Sequence, residues 1–354
     1  MDSKTVGIIG AGAWGTGFAA ALARGGHTVQ LWAFEPDVVD AIQTRHENSR
    51  YLPGFTLPPN VTATEDIAAV TAGKDFVVIA TPSLFLSSTV KKITTVPDIA
   101  DGRTCIAALT KGFVASADGP KLVLETVENI LPGIYKGNTV YISGPSHAEE
   151  VAMGKLTGLI AASENPKNSI RFRELMRVPG LMAYASFDVV GVQICAAAKN
   201  VIAIMYGALD AVTDNSAVFG DDTESLMLAA GLNEIQMLGF AMGATHAETF
   251  TSIAGVGDLD VTCKSRFGRN RRFGQDIINK NILAQFTDID DIITHIDRIG
   301  YLPEGVVACK FIHEIAESKK IKLTICDGLY RLLNKEVEAD ELLDSLLTLG
   351  GTRA

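Results

Sequence analysis

Lys199 and Asn200 interrupt an otherwise apolar helical run, A-A-A-K-N-V-I-A-I, from Ala196 to Ile204. Such a helix should be buried nearly all round. A lysine inside it is costly to keep charged, so burial should push its pKa down unless a carboxylate pairs with it. A lysine so placed can give and take a proton. The structural alternative is a side chain that snorkels to solvent at a helix edge. Asn200, a second polar group at the same interruption, favours the chemical reading.

A second segment, G-V-G-D-L-D-V-T-C-K-S-R-F-G-R-N-R-R-F-G from Gly255 to Gly274, places Asp258 and Thr262 four residues apart, on one face of a helix. Gly268, Arg269 and Asn270 follow at the start of the next helix. A forked cation, an amide and free helix N–H groups together suit a phosphate. The small basic group Arg269, Arg271 and Arg272 reads as a site for a small anion, with a solvated basic loop the alternative for Arg271 and Arg272, and Cys263 reads as a buried structural thiol. A third segment, S-G-P-S-H-A-E-E-V from Ser143 to Val151, makes Ser146 a candidate helix N-cap. His147, with no partner carboxylate evident, reads as a packing residue rather than a general base.

The elements that must hold these residues begin with V-G-I-I-G-A-G-A-W-G, Val6 to Gly15, a strand running into a glycine turn and then an alanine-rich helix. Gly10 allows the tight turn, Gly12 lets a pyrophosphate approach the backbone, and Gly15 lets helix and strand pack closely. Ala13 and Trp14 open the helix, whose N–H groups and dipole favour phosphates. A second strand, Thr28 to Phe34, leads to Glu35, twenty residues past Gly15, where an acid binds ribose hydroxyls. No Arg or Lys adjoins Glu35 in sequence, so NAD is favoured over NADP.

Apolar runs at 75–80, 104–109 and 139–143 alternate with helical stretches at 65–72, 84–94 and 121–131, and 48–59 reads as a loop. Further strands are expected at 156–162 and 181–185. The alternation implies a Rossmann-type, doubly wound parallel sheet with helices on both faces. Turns at Thr81-Pro82, Lys111-Gly112 and Gly144-Pro145 are candidate site walls, because ligands gather at strand carboxyl ends. From Asp188 onward the pattern is helical, with long helices at 189–212 and 221–243 and shorter ones to Leu349. The expected organisation is α/β: a dinucleotide-binding domain over 1–187, then an all-helical domain over 188–354 that carries substrate and catalysis. The two domains are expected to abut, with the site between them.

The formal charge of -10 argues against general nucleic-acid binding. Five scattered cysteines, none in C-x-x-C spacing, suit reduced thiols and give no zinc signature, so no metal site is expected. No targeting segment is evident at the N-terminus, no segment approaches the length needed to span a bilayer without charges, and the terminal G-T-R-A is no peroxisomal address. A cytoplasmic protein without membrane insertion is expected.

Together these features point to a pyridine-nucleotide enzyme acting on a small phosphorylated alcohol or ketone. From Val6 to about Leu332 the sequence resembles the soluble NAD(P)-dependent glycerol-3-phosphate dehydrogenases. The likeness rests on G-A-G-A-W-G, Y-L-P-G at Tyr51 to Gly54, T-K-G at Thr110 to Gly112, S-G-P-S-H-A-E-E-V, K-N-V-I-A-I, G-D-L-x-x-T-C and G-R-N-R-R-F-G, in this order.

The resemblance implies that Lys199 is the catalytic lysine, with Asp258 and Thr262 lining the substrate. It implies that Arg269 and Asn270 bind phosphate, and that Lys111 touches both substrate and cofactor. Gly144 and Ser146 match substrate-side positions. Ala148, Phe34, Phe85 and Glu304 match cofactor neighbours, and Leu302 matches more loosely. The implied reaction is reversible hydride transfer between NAD(H) and dihydroxyacetone phosphate or sn-glycerol 3-phosphate, and the implied assembly is a homodimer. The chain departs from the pattern at Ala230, at Asp221-Asp222-Thr223 and around Gly300 to Glu304. The alternatives are a 6-phosphogluconate-type hydroxyacid dehydrogenase and a non-catalytic NADH-sensing protein; the latter has no need of Lys199 or of the Arg269-Asn270 pair.

Overall fold

In the computed structural model, which describes residues 2–213, 216–265 and 267–348, the apolar runs of the first half form one eight-stranded sheet. Its strands are β1 (Thr5–Ile9), β2 (Thr28–Trp32), β3 (Val61–Thr64), β4 (Phe76–Ile79), β5 (Cys105–Ala108), β6 (Val140–Ser143), β7 (Thr157–Ala162) and β8 (Leu181–Ser186). The spatial order is β8-β7-β6-β5-β4-β1-β2-β3. The run β3-β2-β1-β4-β5-β6 is parallel throughout, with Val6 beside both Val29 and Phe76. This is the doubly wound order 3-2-1-4-5-6, whose switch point lies between β1 and β4. Strands covered on both faces read as unbroken apolar runs, and every residue of β4, β5 and β6 is buried.

Three features depart from the sequence expectation. The sheet is not parallel to its edge: β7 runs antiparallel to β6, with Ile142 opposite Ala161, and β8 follows β7 in parallel. The connection after β6 holds only the five-residue helix Ala148–Ala152, too little for a crossover, so the chain returns beside the strand it left. The stretch read as a loop contains a small antiparallel pair, Glu47–Asn48 with Leu52–Thr56. Strand β3 also went unread, because V-T-A-T carries only two apolar residues.

The chain divides into two compact units, Met1–Ala117 with Lys121–Gln193 and Asp118–Pro120 with Ile194–Ala354. The expected boundary at Asp188 coincides with the start of the Val189–Thr213 helix, but the division falls inside that helix. Its first turn belongs to the sheet unit, where the Gln193 side chain accepts a hydrogen bond from Leu124 N at 2.9 Å.

The second unit has no strand among its described residues. Its main helices are Val189–Thr213, Asp221–Met242, Asp258–Lys264, Arg269–Lys280, Glu304–Lys319 and Thr324–Leu333. The expected run to Leu349 is described as far as Thr348, and the terminal tetrapeptide lies outside the described residues. Val189–Thr213 comes nearer to a membrane span in length and composition than the sequence reading allowed. Its most apolar stretch is 89% buried inside the protein, the environment of a core helix.

Candidate active site

The nucleotide end of the first unit is built by the turn after β1. Gly10 has φ +122°, and a Cβ there would lie 2.8 Å from the carbonyl of Ala80 at the end of β4. A Cβ on Gly15 would sit 2.1 Å from the Gly10 carbonyl oxygen, while one on Gly12 would meet nothing within 4 Å. Two of the glycines thus pack backbone against backbone, and the third faces open space. The Ala13–Arg24 helix starts there with no side-chain cap, which leaves its first N–H groups available to an anion. Two buried polar atoms beside this turn, Trp14 Nε1 and Thr81 Oγ1, have no hydrogen-bond partner among the described residues. Phe34 and Phe85, 74% and 58% exposed, project from the carboxyl ends of β2 and β4. An open glycine, an uncapped helix start, orphaned polar atoms and exposed aromatic rings on one edge fit a dinucleotide. Gly15→Ala should therefore raise the dissociation constant for NADH by tenfold or more, measured by fluorescence titration; unchanged binding would remove the glycine turn from the site.

Glu35 stands at the N-cap position of the Pro36–Arg45 helix, half-buried, with its carboxylate accepting the Tyr51 phenol at 2.6 Å. Here the fold adds to the sequence reading. No basic residue adjoins Glu35 along the chain, yet the small hairpin carries Arg50 to within 3.5 Å of the Asp37 carboxylate, two residues away.

Along the same edge, Thr110 donates to the Thr81 carbonyl at 2.7 Å and ties the T-K-G turn to the T-P turn. Lys111 is half-exposed beside Gly112 at φ +99°. Gly144 is buried at φ +126°, with Ala148 packed on Gly17 of the glycine-turn helix. Ser146 is not an N-cap: His147 occupies that position, and the Ser146 hydroxyl turns back to the Gly144 carbonyl at 2.8 Å. His147 is half-exposed rather than packed away.

The second unit gathers the remaining candidates around Lys199. This side chain does not snorkel; the residue is 4% exposed, and its Nζ is paired with the fully buried carboxylate of Asp258. The pairing offsets the cost of burying each charge, which neither could bear alone. Asp258 and Thr262 share the Asp258–Lys264 helix, and the Thr262 hydroxyl donates to the Asp258 backbone carbonyl at 2.6 Å, so its proton is directed into the helix. Cys263 is fully buried, and burial pushes its thiol up.

Gly268 caps the Arg269–Lys280 helix without a side-chain bond. Arg269, at the first position, is exposed and forms no ion pair with any described residue, as an anion anchor requires. Asn270 is buried and serves first as a strut. Its Nδ2 donates to Asn200 Oδ1 at 3.0 Å, and its Oδ1 accepts Gly305 N at 2.9 Å. Asn200 Nδ2, next in sequence to Lys199, is buried without a partner among the described residues.

Leu302 and Glu304 are half-exposed on the approach to Gly305, Glu304 being the first residue of the Glu304–Lys319 helix. Arg271 and Arg272 lie on the Arg269–Lys280 helix rather than in a loop, Arg271 half-buried and Arg272 exposed. Arg271 binds both Asp210 oxygens at 2.9 and 2.8 Å, and Arg272 lies 4.6 Å over the Tyr301 ring. The sequence reading missed Asp210, Tyr301 and Tyr51, whose partners lie 16 to 61 residues away.

A switch-point glycine turn and a buried lysine held by a carboxylate define the class: a pyridine-nucleotide-dependent dehydrogenase. Residues 5–169 match the model for the NAD-dependent glycerol-3-phosphate dehydrogenase N-terminus, and residues 188–344 match that for the C-terminus. The glycerol-3-phosphate dehydrogenase [NAD(P)+] of Treponema denticola is 54% identical, over 98% of this chain and 99% of its own length. That of Treponema pallidum (strain Nichols) is 51% identical, over 97% and 99%. The crystal structure of glycerol-3-phosphate dehydrogenase from Coxiella burnetii superposes with a TM-score of 0.83 at 30% identity, covering 98% of this chain and 99% of that one. The chain belongs to the NAD-dependent glycerol-3-phosphate dehydrogenase family, and is an oxidoreductase that uses NAD(P).

Proposed function

We propose that this protein is an sn-glycerol-3-phosphate dehydrogenase that interconverts dihydroxyacetone phosphate and sn-glycerol 3-phosphate, with NAD(H) preferred over NADP(H). The observation that carries the reading is the Lys199–Asp258 pair, buried beside an Asn200 Nδ2 with no partner among the described residues and joined through Asn270 to the helix start bearing Arg269. When bound, the nicotinamide supplies the hydride that reduces the central carbon. Charged Lys199 gives a proton to the carbonyl oxygen as negative charge builds there, and neutral Lys199 takes it back from the hydroxyl in the reverse direction. Asp258 holds the amine in place. Asn200 Nδ2 offers a further donor to the substrate's oxygens. Arg269, with the N–H groups that follow Gly268, grips the phosphate and uses that remote binding to place the carbonyl. Glu35 receives the adenosine ribose, with Gly10, Gly12, Ala13, Trp14 and Gly15 around the pyrophosphate and Phe34 and Phe85 beside the cofactor. By resemblance, Lys111, Gly144 and Ser146 are assigned to the substrate, and Ala148, Leu302 and Glu304 to the cofactor.

The direct test is NADH oxidation with dihydroxyacetone phosphate, repeated with NADPH and with 6-phosphogluconate and NAD as the rival pair. Turnover with the triose phosphate and a higher kcat/KM for NADH support the reading; turnover of the sugar acid alone, or none, overturns it. Arg269→Ala should raise the KM for dihydroxyacetone phosphate by roughly tenfold to a hundredfold while dihydroxyacetone itself is little affected. Equal losses for both substrates would mean that Arg269 is not the phosphate anchor. The reading extends to a cytoplasmic homodimer. Leu226, Met237 and Phe240 lie exposed on one face of the Asp221–Met242 helix, as a self-association surface requires, and light scattering measures the mass.

A further inference from the structure

The segment between Glu47 and Thr56 does more than join two strands. Asn48 is buried, and its side chain donates to the Ala11 carbonyl at 2.7 Å and to Thr16 Oγ1 at 2.8 Å, inside the glycine turn and the helix that follows it. Its Oδ1 accepts the backbone N–H of Tyr51 at 3.1 Å, and the Tyr51 hydroxyl donates to Glu35 Oε1 at 2.6 Å. One chain of hydrogen bonds therefore runs from the turn expected to hold the pyrophosphate to the acid expected to hold the ribose. The Glu35 carbonyl accepts Val38 N and Val39 N at 3.2 Å, but its side chain makes no cap bond to the helix start. Tyr51 is the group that fixes the direction of the carboxylate.

We propose that Tyr51 is a positioning residue for coenzyme choice: by occupying one oxygen of Glu35 it aims the other at the ribose 2′- and 3′-hydroxyls and keeps the negative charge where a 2′-phosphate would have to sit. This rests on the reading of the first unit as the NAD site. Partial burial and the bond to Glu35 both push the Tyr51 phenol up, so it remains a donor across the working pH range. Arg50, whose guanidinium lies 5.4 Å from the Tyr51 ring centre, would remain in place if that bond were lost, and it is a cation suited to a phosphate. Tyr51 thus decides between an acid aimed at a diol and an arginine left beside a slackened acid.

The test is steady-state kinetics with NADH and with NADPH for the wild type, Tyr51→Phe, Glu35→Gln and the double variant, with melting temperatures taken in parallel. Tyr51→Phe keeps the ring packing and removes only the hydroxyl. Its KM for NADH should rise roughly tenfold with kcat unchanged, and its NADH-to-NADPH preference should fall by a similar factor. Glu35→Gln should lower the preference at least as far, and the double variant should be no worse than Glu35→Gln alone, because Tyr51 acts through Glu35. An NADH KM within twofold of wild type in Tyr51→Phe, or losses that multiply in the double variant, overturns the inference while the Glu35 assignment stands. If Glu35→Gln leaves the preference unchanged, the ribose assignment and the inference fall together, whereas wild-type turnover of the triose phosphate still upholds the reaction.

Discussion

Lys199→Ala is expected to lower kcat for dihydroxyacetone phosphate reduction by roughly two to four decades, the loss typical of removing a placed proton donor. NADH binding should be unaffected, because every residue assigned to the pyrophosphate and ribose lies in the other unit. Among the described residues of the second unit the amine is the one basic group against a fully buried carboxylate, and Asn200, next in sequence, has an Nδ2 with no partner among them. Stopped-flow mixing of enzyme–NADH with substrate separates chemistry from product release. A variant that keeps near-normal single-turnover rates would remove Lys199 from the mechanism.

The second large effect is on stability. Asp258→Ala leaves the Lys199 charge buried with its partner gone, and removing one member of such a pair costs about 3–5 kcal/mol. For a unit of this size the melting temperature should fall on the order of 10 °C. Replacing both members, as in Lys199→Met with Asp258→Leu, removes the stranded charge along with the pair, and stability should return to near wild type. The double variant should still be inactive. Scanning calorimetry of the three proteins checks this: if Asp258→Ala melts within 2 °C of wild type (about 1 kcal/mol or less), the pair is not what holds the lysine in the interior.

How much of this was legible in the sequence depended on the range of the contact. The glycine turn, the Asp258–Thr262 spacing and the helix beginning at Arg269 are local features, and the residues stand on the elements expected of them. Lys199 was legible as an interruption in an apolar helix, although the choice between burial and snorkelling needed its partner, 59 residues away. Contacts closed by the fold were not legible. Tyr51 reaches Glu35 through a hairpin whose polar, proline-bearing sequence reads as a loop, and Arg50 arrives with it. Arg271 looked solvated because Asp210 lies on another helix. Ser146 had the right residue type for a cap, but its hydroxyl bonds the Gly144 carbonyl and His147 takes the cap position. The reversal at β7 follows from how little chain lies between it and β6, a length the strand pattern does not report.

The helix that carries Lys199 also has bare backbone against its neighbours. A Cβ on Gly274 would fall 1.9 Å from the Ile204 carbonyl oxygen, and one on Gly305 would fall 2.5 Å from that of Asn200. Neither glycine has a side chain to offer a reactant, and a survey of site residues would pass over both. Yet a single methyl at either position must lever the rod bearing the amine outward, by an amount comparable to the tolerance of proton transfer itself. In a saturation mutagenesis map these two positions should appear as intolerant as Lys199, and their variants should fold, bind coenzyme and turn over poorly.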